Sequence, residues 1–316
     1  MNRRAFFSSH AILAAVAVLV VIAFFALHGT YILGTLVLAG IYALVILGLV
    51  LLGGLGGQYS LGQAAFFGIG AYCAALLSRQ GVPPIVGLLG AVLLTVVLAV
   101  IVGTPMMRLR GYQLAVGTLA LGLVVISLLN GWRSLTLGPS GITGISPFSI
   151  GPLVVSGDDG NYWLVWSVLL AAVWAGINLW GSRAGQALLA VKRDEDAAAA
   201  MGIDVTRVKV QIFALSAGLA ALGGVLYAHY VAFVSPDRFD LNGSFELLLG
   251  AMLGGIGTPF GAILGALLLV TLPALVAPLQ DYKIMAYGLV FMLVALYFPG
   301  GIAGLIASLS EARKTV

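Results

Sequence analysis

The residues whose types and spacing could do work lie in one polar stretch, 183–209, reading RAGQALLAVKRDEDAAAAMGIDVTRVK, the longest polar interruption near the middle of an otherwise apolar chain. Asp194, Glu195 and Asp196 stand just ahead of a run of alanines, where carboxylates complement the positive end of a helix dipole. The pattern predicts a short helix over about 196–201, with Gly202 supplying the stop. Ala197, Ala200 and Met201 fall at i, i+3 and i+4, so they share a small apolar face suited to a groove on another protein. Asp204 is placed to cap the following helix, which re-enters apolar sequence at Val208. The chemistry indicated is docking. A solvated hairpin between two spans is the other reading the pattern leaves open.

The elements around this stretch belong to a membrane protein. The chain is 61% hydrophobic and 8% charged, with a mean hydropathy of +1.12, whereas soluble domains carry about a quarter charged residues. Its 43 glycines in 316 residues are about twice the usual share, as expected where helices pack closely or break. The net charge of +4 follows from Lys and Arg at cytoplasmic helix ends and implies no nucleic-acid partner. The single Cys73 lies in an apolar segment and reads as a small core residue.

Arg3 and Arg4 precede an apolar run from Ala11 to Leu27, read as a first span. Further spans are expected at about 31–52, 62–78, 83–105, 112–130, 162–180, 209–233, 244–256, 259–278 and 284–298. The fold class is therefore all-α, a polytopic transmembrane bundle of about 8–10 spans. A cytoplasmic N-terminus places 11 of the 15 Lys and Arg residues inside, leaving Arg79, Arg133, Arg238 and Lys283 outside. The segments 62–78 and 244–256 are candidates for re-entrant half-helices. The organisation is a tail and first span at 1–30, a core at 31–300 that includes 183–209, and a cytoplasmic tail at 301–316.

Two Gly-rich breaks, GGLGGQ at 53–58 and GGIGTP at 254–259, each separate two apolar runs. Paired interruptions are where transporters expose polar backbone to a cavity. Gly54, Gly56 and Gly57, followed by Gln58, Tyr59, Ser60 and Gln63, are the candidate translocation residues: uncharged donors and acceptors would pass a zwitterion without holding it tightly. Close helix packing and interhelical hydrogen bonding are the alternatives. Gly250 and Gly254, and Gly257, Gly261 and Gly265, recur at the four-residue spacing that close contact requires. Thr118, Ser127 and Asn130 read as packing residues.

The longest loop on the outer face runs from Gly131 to Asn161, with turn signals at Gly138-Pro139-Ser140-Gly141 and Gly157-Asp158-Asp159-Gly160. His229, near an outer boundary, reads as interfacial. Glu246, near the expected outer end of its segment, reads as a helix-start residue or a proton relay. The sequence contains no GxxxxGK[ST] phosphate loop, no HExxH, no Gly-x-Ser-x-Gly and no Cys/His cluster. The chain is thus expected to be no enzyme, to bind no metal and no cofactor itself, and to hydrolyse no ATP. Few charges fall inside the spans, which weighs against a stand-alone channel or ion-coupled carrier.

Asp196-Ala197-Ala198, three residues, Gly202, nine residues and Ile212 resemble the EAA loop of ATP-binding-cassette importer permeases. Asp196 stands for the usual Glu, and Ala214-Leu215 for the usual Leu-Pro. With GQYSLGQAAFFGIGAY at 57–72, GLAALGGVLYAHYVAFVSP at 218–236 and LLGAMLGGIGTPFGAILGALLL at 248–269, the chain resembles the branched-chain amino-acid importer permeases of LivM type over roughly residues 30 to 300. The resemblance implies a bacterial inner-membrane subunit that works with a second permease, two ATPases and an external binding protein. Asp194, Glu195, Asp196, Ala197, Ala198 and Gly202 would then couple to the ATPases, which bind the ATP. Asp158, Asp159, Asp237 and Arg238 would meet the binding protein. A urea or short-amide importer is the alternative within the family.

Overall fold

The computed structural model describes residues 3–275 except Arg110, together with the single positions 292, 301 and 304. Apart from those positions, the expected span at 284–298 and the C-terminal tail lie outside the described residues. In chain order the helices are α1 (Arg3–Leu27), α2 (Tyr31–Gly56), α3 (Gln63–Arg79), α4 (Pro84–Met106), α5 (Tyr112–Gly131) and α6 (Arg133–Thr136), followed by α7 (Gly157–Gly181) and α8 (Arg183–Arg193). Then come α9 (Glu195–Ala200), α10 (Val205–Val231), α11 (Leu241–Gly254) and α12 (Gly261–Leu275). Two small antiparallel ribbons decorate the bundle: Ile142–Thr143 pairs with Phe233–Val234, and Ser149–Ile150 with Leu153–Val154.

Among the described residues six helices are long and apolar enough to cross a membrane: α1 from Ser9, α2, α4, α5, α7 and α10. The segments expected as spans at 62–78 and 244–256 are the shorter helices α3 and α11, and α12 is the described part of the span expected at 259–278. The turn signal at 157–160 is corrected, because those residues are the first turn of α7, with Asp158 and Asp159 at its positive end. The signal at 138–140 is a 3-10 turn.

An apolar helix with no polar face lies in a protein core or against lipid, and α2 takes the core: 83% of its most apolar stretch is buried, against 72% for α10 and 6% for the peripheral α1. Small residues set how closely the helices meet. A Cβ at Gly224 of α10 would fall 2.8 Å from the Ala71 nitrogen and against the Phe67 carbonyl of α3. Gly254 and Gly265 likewise bring α11 and α12 into backbone contact.

Two of the short helices begin deep in this bundle. Gln63, the first residue of α3, donates its side-chain amide to the carbonyls of Val45 (3.3 Å) and Ser216 (3.1 Å), which lie near the middles of α2 and α10. The Ser244 hydroxyl of α11 accepts the N–H of Ala64 at 3.3 Å, so α11 starts at the same level. From there α11 runs towards the face where α2 ends, since Ile256 beyond it lies against Gly53 and Gly54. α3 runs the other way, and Ser78 near its end meets Ser146 at 2.9 Å.

Candidate functional site

The polar stretch 183–209 folds because each of its helices carries its own cap. The Ser182 hydroxyl accepts the N–H of Gly185 at 3.1 Å and starts α8. Asp194 caps α9, its Oδ1 accepting the N–H groups of Asp196 (2.9 Å) and Ala197 (3.0 Å). The cap is thus the first of the three carboxylates, and the helix begins at Glu195, one residue earlier than the sequence suggested. Gly202 adopts φ +85°, a conformation open to glycine at little cost, and the Ile203 N–H closes back on the Ala198 carbonyl at 3.1 Å. Asp204 caps α10 through the N–H of Arg207 at 3.0 Å.

α9 is therefore a compact knob with two sides. Ala197 and Ala200 are exposed and Met201 is 84% exposed, whereas Ala198 is 3% exposed and faces the protein. The outward apolar face is Ala197, Ala200 and Met201, and Ala198 contributes packing beneath it.

Two lysines tie the knob, and the helix that leads into it, to the bundle. Lys209 is 4% exposed and pairs with Glu195, joining α9 to α10. Lys192 donates its ammonium to the Gly54 carbonyl at 2.8 Å, one of the terminal α2 carbonyls that lack a helical partner. Its stem also fills the space beside Gly57, where a Cβ would fall 2.8 Å from its Cγ. Sequence reasoning passed over both lysines. The available signal was Lys209 itself, a cation among Val205, Val208 and Val210 in a run that becomes a span.

The candidate translocation residues divide. Gly53, Gly54 and Gly56 are helical and Gly57, at φ +65°, ends α2, so the expected break over 53–58 is corrected to the non-helical segment 57–62. Close packing explains the glycines: a Cβ at Gly54 would fall 2.5 Å from Trp180 and against the Ile256 carbonyl. The two Gly-rich segments thereby meet. In the segment itself, the Ser60 hydroxyl accepts the Gly62 N–H at 3.2 Å and Thr118 of α5 accepts the Leu61 N–H at 2.9 Å. Gln63 is 1% exposed and also accepts the Ser216 hydroxyl at 3.3 Å, which is the interhelical arrangement. Tyr59 is half exposed, and Gln58 is buried with neither amide atom partnered among the described residues.

A cavity of about 590 Å³ joins the two sets. Gly57, Gln58 and Tyr59 line one wall, and Lys192, Asp194, Glu195 and Lys209 another. On the opposite face, Asp158 accepts the Tyr230 hydroxyl at 2.9 Å and Asp159 meets His28 at 3.0 Å, so both carboxylates pin α7 to its neighbours while staying exposed. Asp237 and Arg238 are exposed on the 3-10 turn Pro236–Phe239. His229 is corrected from interfacial to buried: it is 5% exposed, meets the Ser146 carbonyl at 2.7 Å and packs edge-on against Phe148. Among the described residues no group of His, Cys, Asp and Glu is arranged to hold a metal.

The fold and this arrangement define a polytopic, all-α membrane protein. Residues 31–298 match the family described as branched-chain amino acid transport system / permease component, and the chain belongs to that family. It is similar to the high-affinity branched-chain amino acid transport system permease protein LivM of Escherichia coli K12, at 31% identity over 304 residues, covering 87% of this chain and 70% of that relative. The permease LivH of the same organism is 33% identical over 144 residues, 45% of this chain and 46% of LivH. The autoinducer 2 import system permease LsrC of Yersinia pseudotuberculosis is 27% identical over 183 residues, 55% of this chain and 49% of LsrC. No solved structure matches the chain.

Proposed function

We propose that this chain is the permease subunit of an ATP-dependent importer of branched-chain or related amino acids. It receives substrate from an external binding protein and couples to separate ATPase subunits through 183–209. A second, similar permease completes the pore. The chain sits in a bacterial inner membrane with α9 on the cytoplasmic side. The observation that carries this reading is the linkage of α9: a capped helix with an exposed apolar face, joined by Glu195–Lys209 to α10 and preceded directly by α8, whose Lys192 holds the end of α2. A force applied to such a knob is delivered to the segment 57–62 and to the central helix beside it. Switching between outward and inward access then needs only that ATP-driven closure favour one of two arrangements.

The test is uptake of radiolabelled leucine, with urea in parallel, by vesicles holding the complete set of subunits. Leucine uptake that requires both ATP and binding protein is expected. Uptake of urea alone would change the substrate, and uptake by this chain alone without ATP would overturn the coupled reading.

A further inference from the structure

Between the outer end of α10 and the start of α11 the chain runs from Ala232 to Asp240 as a two-residue strand and a 3-10 turn. This segment descends. His229 in the last turn of α10 and Ser78 near the end of α3 both meet Ser146, so the two helices end on one face, whereas α11 starts beside Ala64, level with the middle of α2. Along the way Phe239, 2% exposed, packs on Phe67 at 5.1 Å between ring centroids and lies against Gly68, where a Cβ would fall 2.9 Å from its ring. Non-helical backbone at membrane depth is either enclosed by protein or lines a watery space. Here it lines one: Asp237, Arg238 and Asn242 share a cavity of about 220 Å³ with Tyr42, Phe67 and Glu246.

A strap, 141–148, holds the top of this descent. Its Ile142 and Thr143 pair with Val234 and Phe233, and Gly141 permits the approach, since a Cβ there would fall 2.5 Å from the Val234 carbonyl. Ile142, Ile145 and Phe148 are buried beneath it. Among the described residues, the hydrogen bonds that tie the strap to α3 and α10 converge on Ser146. Its N–H donates to the Ser78 hydroxyl at 3.0 Å, its own hydroxyl meets the same oxygen at 2.9 Å, and its carbonyl accepts the Nδ1–H of His229 at 2.7 Å. Directly before the ribbon, Ala232 adopts φ +56°, a left-handed conformation that a residue with a side chain keeps only where its surroundings impose it.

We propose that the strap 141–148 is a latched outer gate, with Ser146 as the latch and Ala232 as the hinge. The proposal rests on the importer reading and assigns a gate to it. With Ser146 held, the ribbon pins Phe233 and Val234, and Phe239 stays seated against Gly68. With Ser146 released, the strain at Ala232 is relieved, 232–240 moves off α3, and the cavity opens from outside towards the level where α3 and α11 begin. The bonds of the latch are individually weak, so a partner that docks outside and favours the released form shifts the balance.

The experiment locks the latch. Ser78→Cys with Ser146→Cys, in a Cys73→Ser background, places two thiols where hydroxyl oxygens now lie 2.9 Å apart, within reach of a disulfide. The complete set of subunits in proteoliposomes, with binding protein and ATP, is assayed for radiolabelled leucine uptake after oxidation and again after reduction, with the single-cysteine variants as oxidation controls. The oxidised pair is expected to lose uptake about tenfold or more and to regain it on reduction. Equal uptake by the fully cross-linked and reduced forms overturns the gate, as does failure of the pair to cross-link. If the unmodified complex imports no leucine, the importer reading falls instead. A second measurement needs neither the cysteine pair nor a substrate: Ser244→Cys, at a position 3% exposed where α11 starts, is labelled from outside with a small membrane-impermeant methanethiosulfonate. Adding Ser78→Ala, which removes two bonds of the latch, is expected to speed that labelling about fivefold; an unchanged rate overturns the gate.

Discussion

At the scale of single residues, Glu195 and Lys209 decide how firmly α9 belongs to the bundle. Lys209 is nearly excluded from solvent, with 5% of its side chain exposed against 26% for Glu195. Removing one partner leaves the other's charge without its ion pair, at a cost that grows with burial. Glu195→Gln, which leaves the buried Lys209 ammonium behind, is therefore expected to lower the melting temperature of the purified complex, and Lys209→Met to lower it less because the carboxylate left behind is the wetter one. The double variant should be more stable than the sum of the two losses, with a coupling of about 1–3 kcal/mol in a double-mutant cycle; simple additivity would show the pair contributes nothing. Gly202 acts differently, since proline holds φ near −65° whereas Gly202 sits at +85°. Gly202→Pro and Asp196→Lys are each expected to leave membrane insertion intact while separating ATP hydrolysis from uptake. Normal coupled uptake in both would remove α9 from the coupling mechanism.

At the scale of elements, glycine composition was the hardest signal to interpret. GGLGGQ contains enough glycine to suggest unwinding, yet α2 continues through Gly56, because a glycine in a helix costs only about 0.5–1 kcal/mol and here lets Trp180 and Ile256 approach. Nothing local distinguishes a glycine that packs from one that breaks; the neighbour that decides lies far along the chain. The polar stretch was legible for the opposite reason, since its caps at Asp194 and Asp204 and its stop at Gly202 are all set within a few residues. The cavity lined by Tyr42, Phe67, Arg238 and Glu246 was not, because these residues come from three stretches far apart in the chain, α2, α3 and 236–246. Packing makes a prediction of its own: Gly224→Val places a side chain against the Phe67 carbonyl and the Ala71 nitrogen of α3, and overpacking of this kind costs about 1–3 kcal/mol or more. Loss of the monodisperse peak in size-exclusion chromatography is expected, with Gly257→Val, which among the described residues meets no neighbour within 4 Å, as the tolerated control.

For the whole molecule, the described helices sort into a core of α2 and α10, a surrounding set, and a peripheral α1 that lies before the matched family region of residues 31–298. Periodicity and length found these elements well. The count of full spans was less accessible, because α3 and α11 are apolar enough to read as crossings yet begin alongside the middles of other helices. The orientation proposed for the molecule is open to direct labelling in whole cells. With Cys73→Ser as background, Leu153→Cys, at a position 66% exposed, is expected to react with a membrane-impermeant maleimide, and Met201→Cys to react only after the membrane is opened. The reverse pattern would invert the molecule and place α9 outside.

Gln58 gives this architecture a built-in bias. Among the described residues neither amide atom of Gln58 has a partner, and a buried amide left so costs about 1–3 kcal/mol, so a rearrangement of 57–62 that pairs it starts with that advantage. On that ground the conformation described here is expected to be held by the packing around it and eased towards release by one side chain. Replacing that amide with the apolar Gln58→Met would remove the bias, deepen the present state and lengthen its dwell time between transport events.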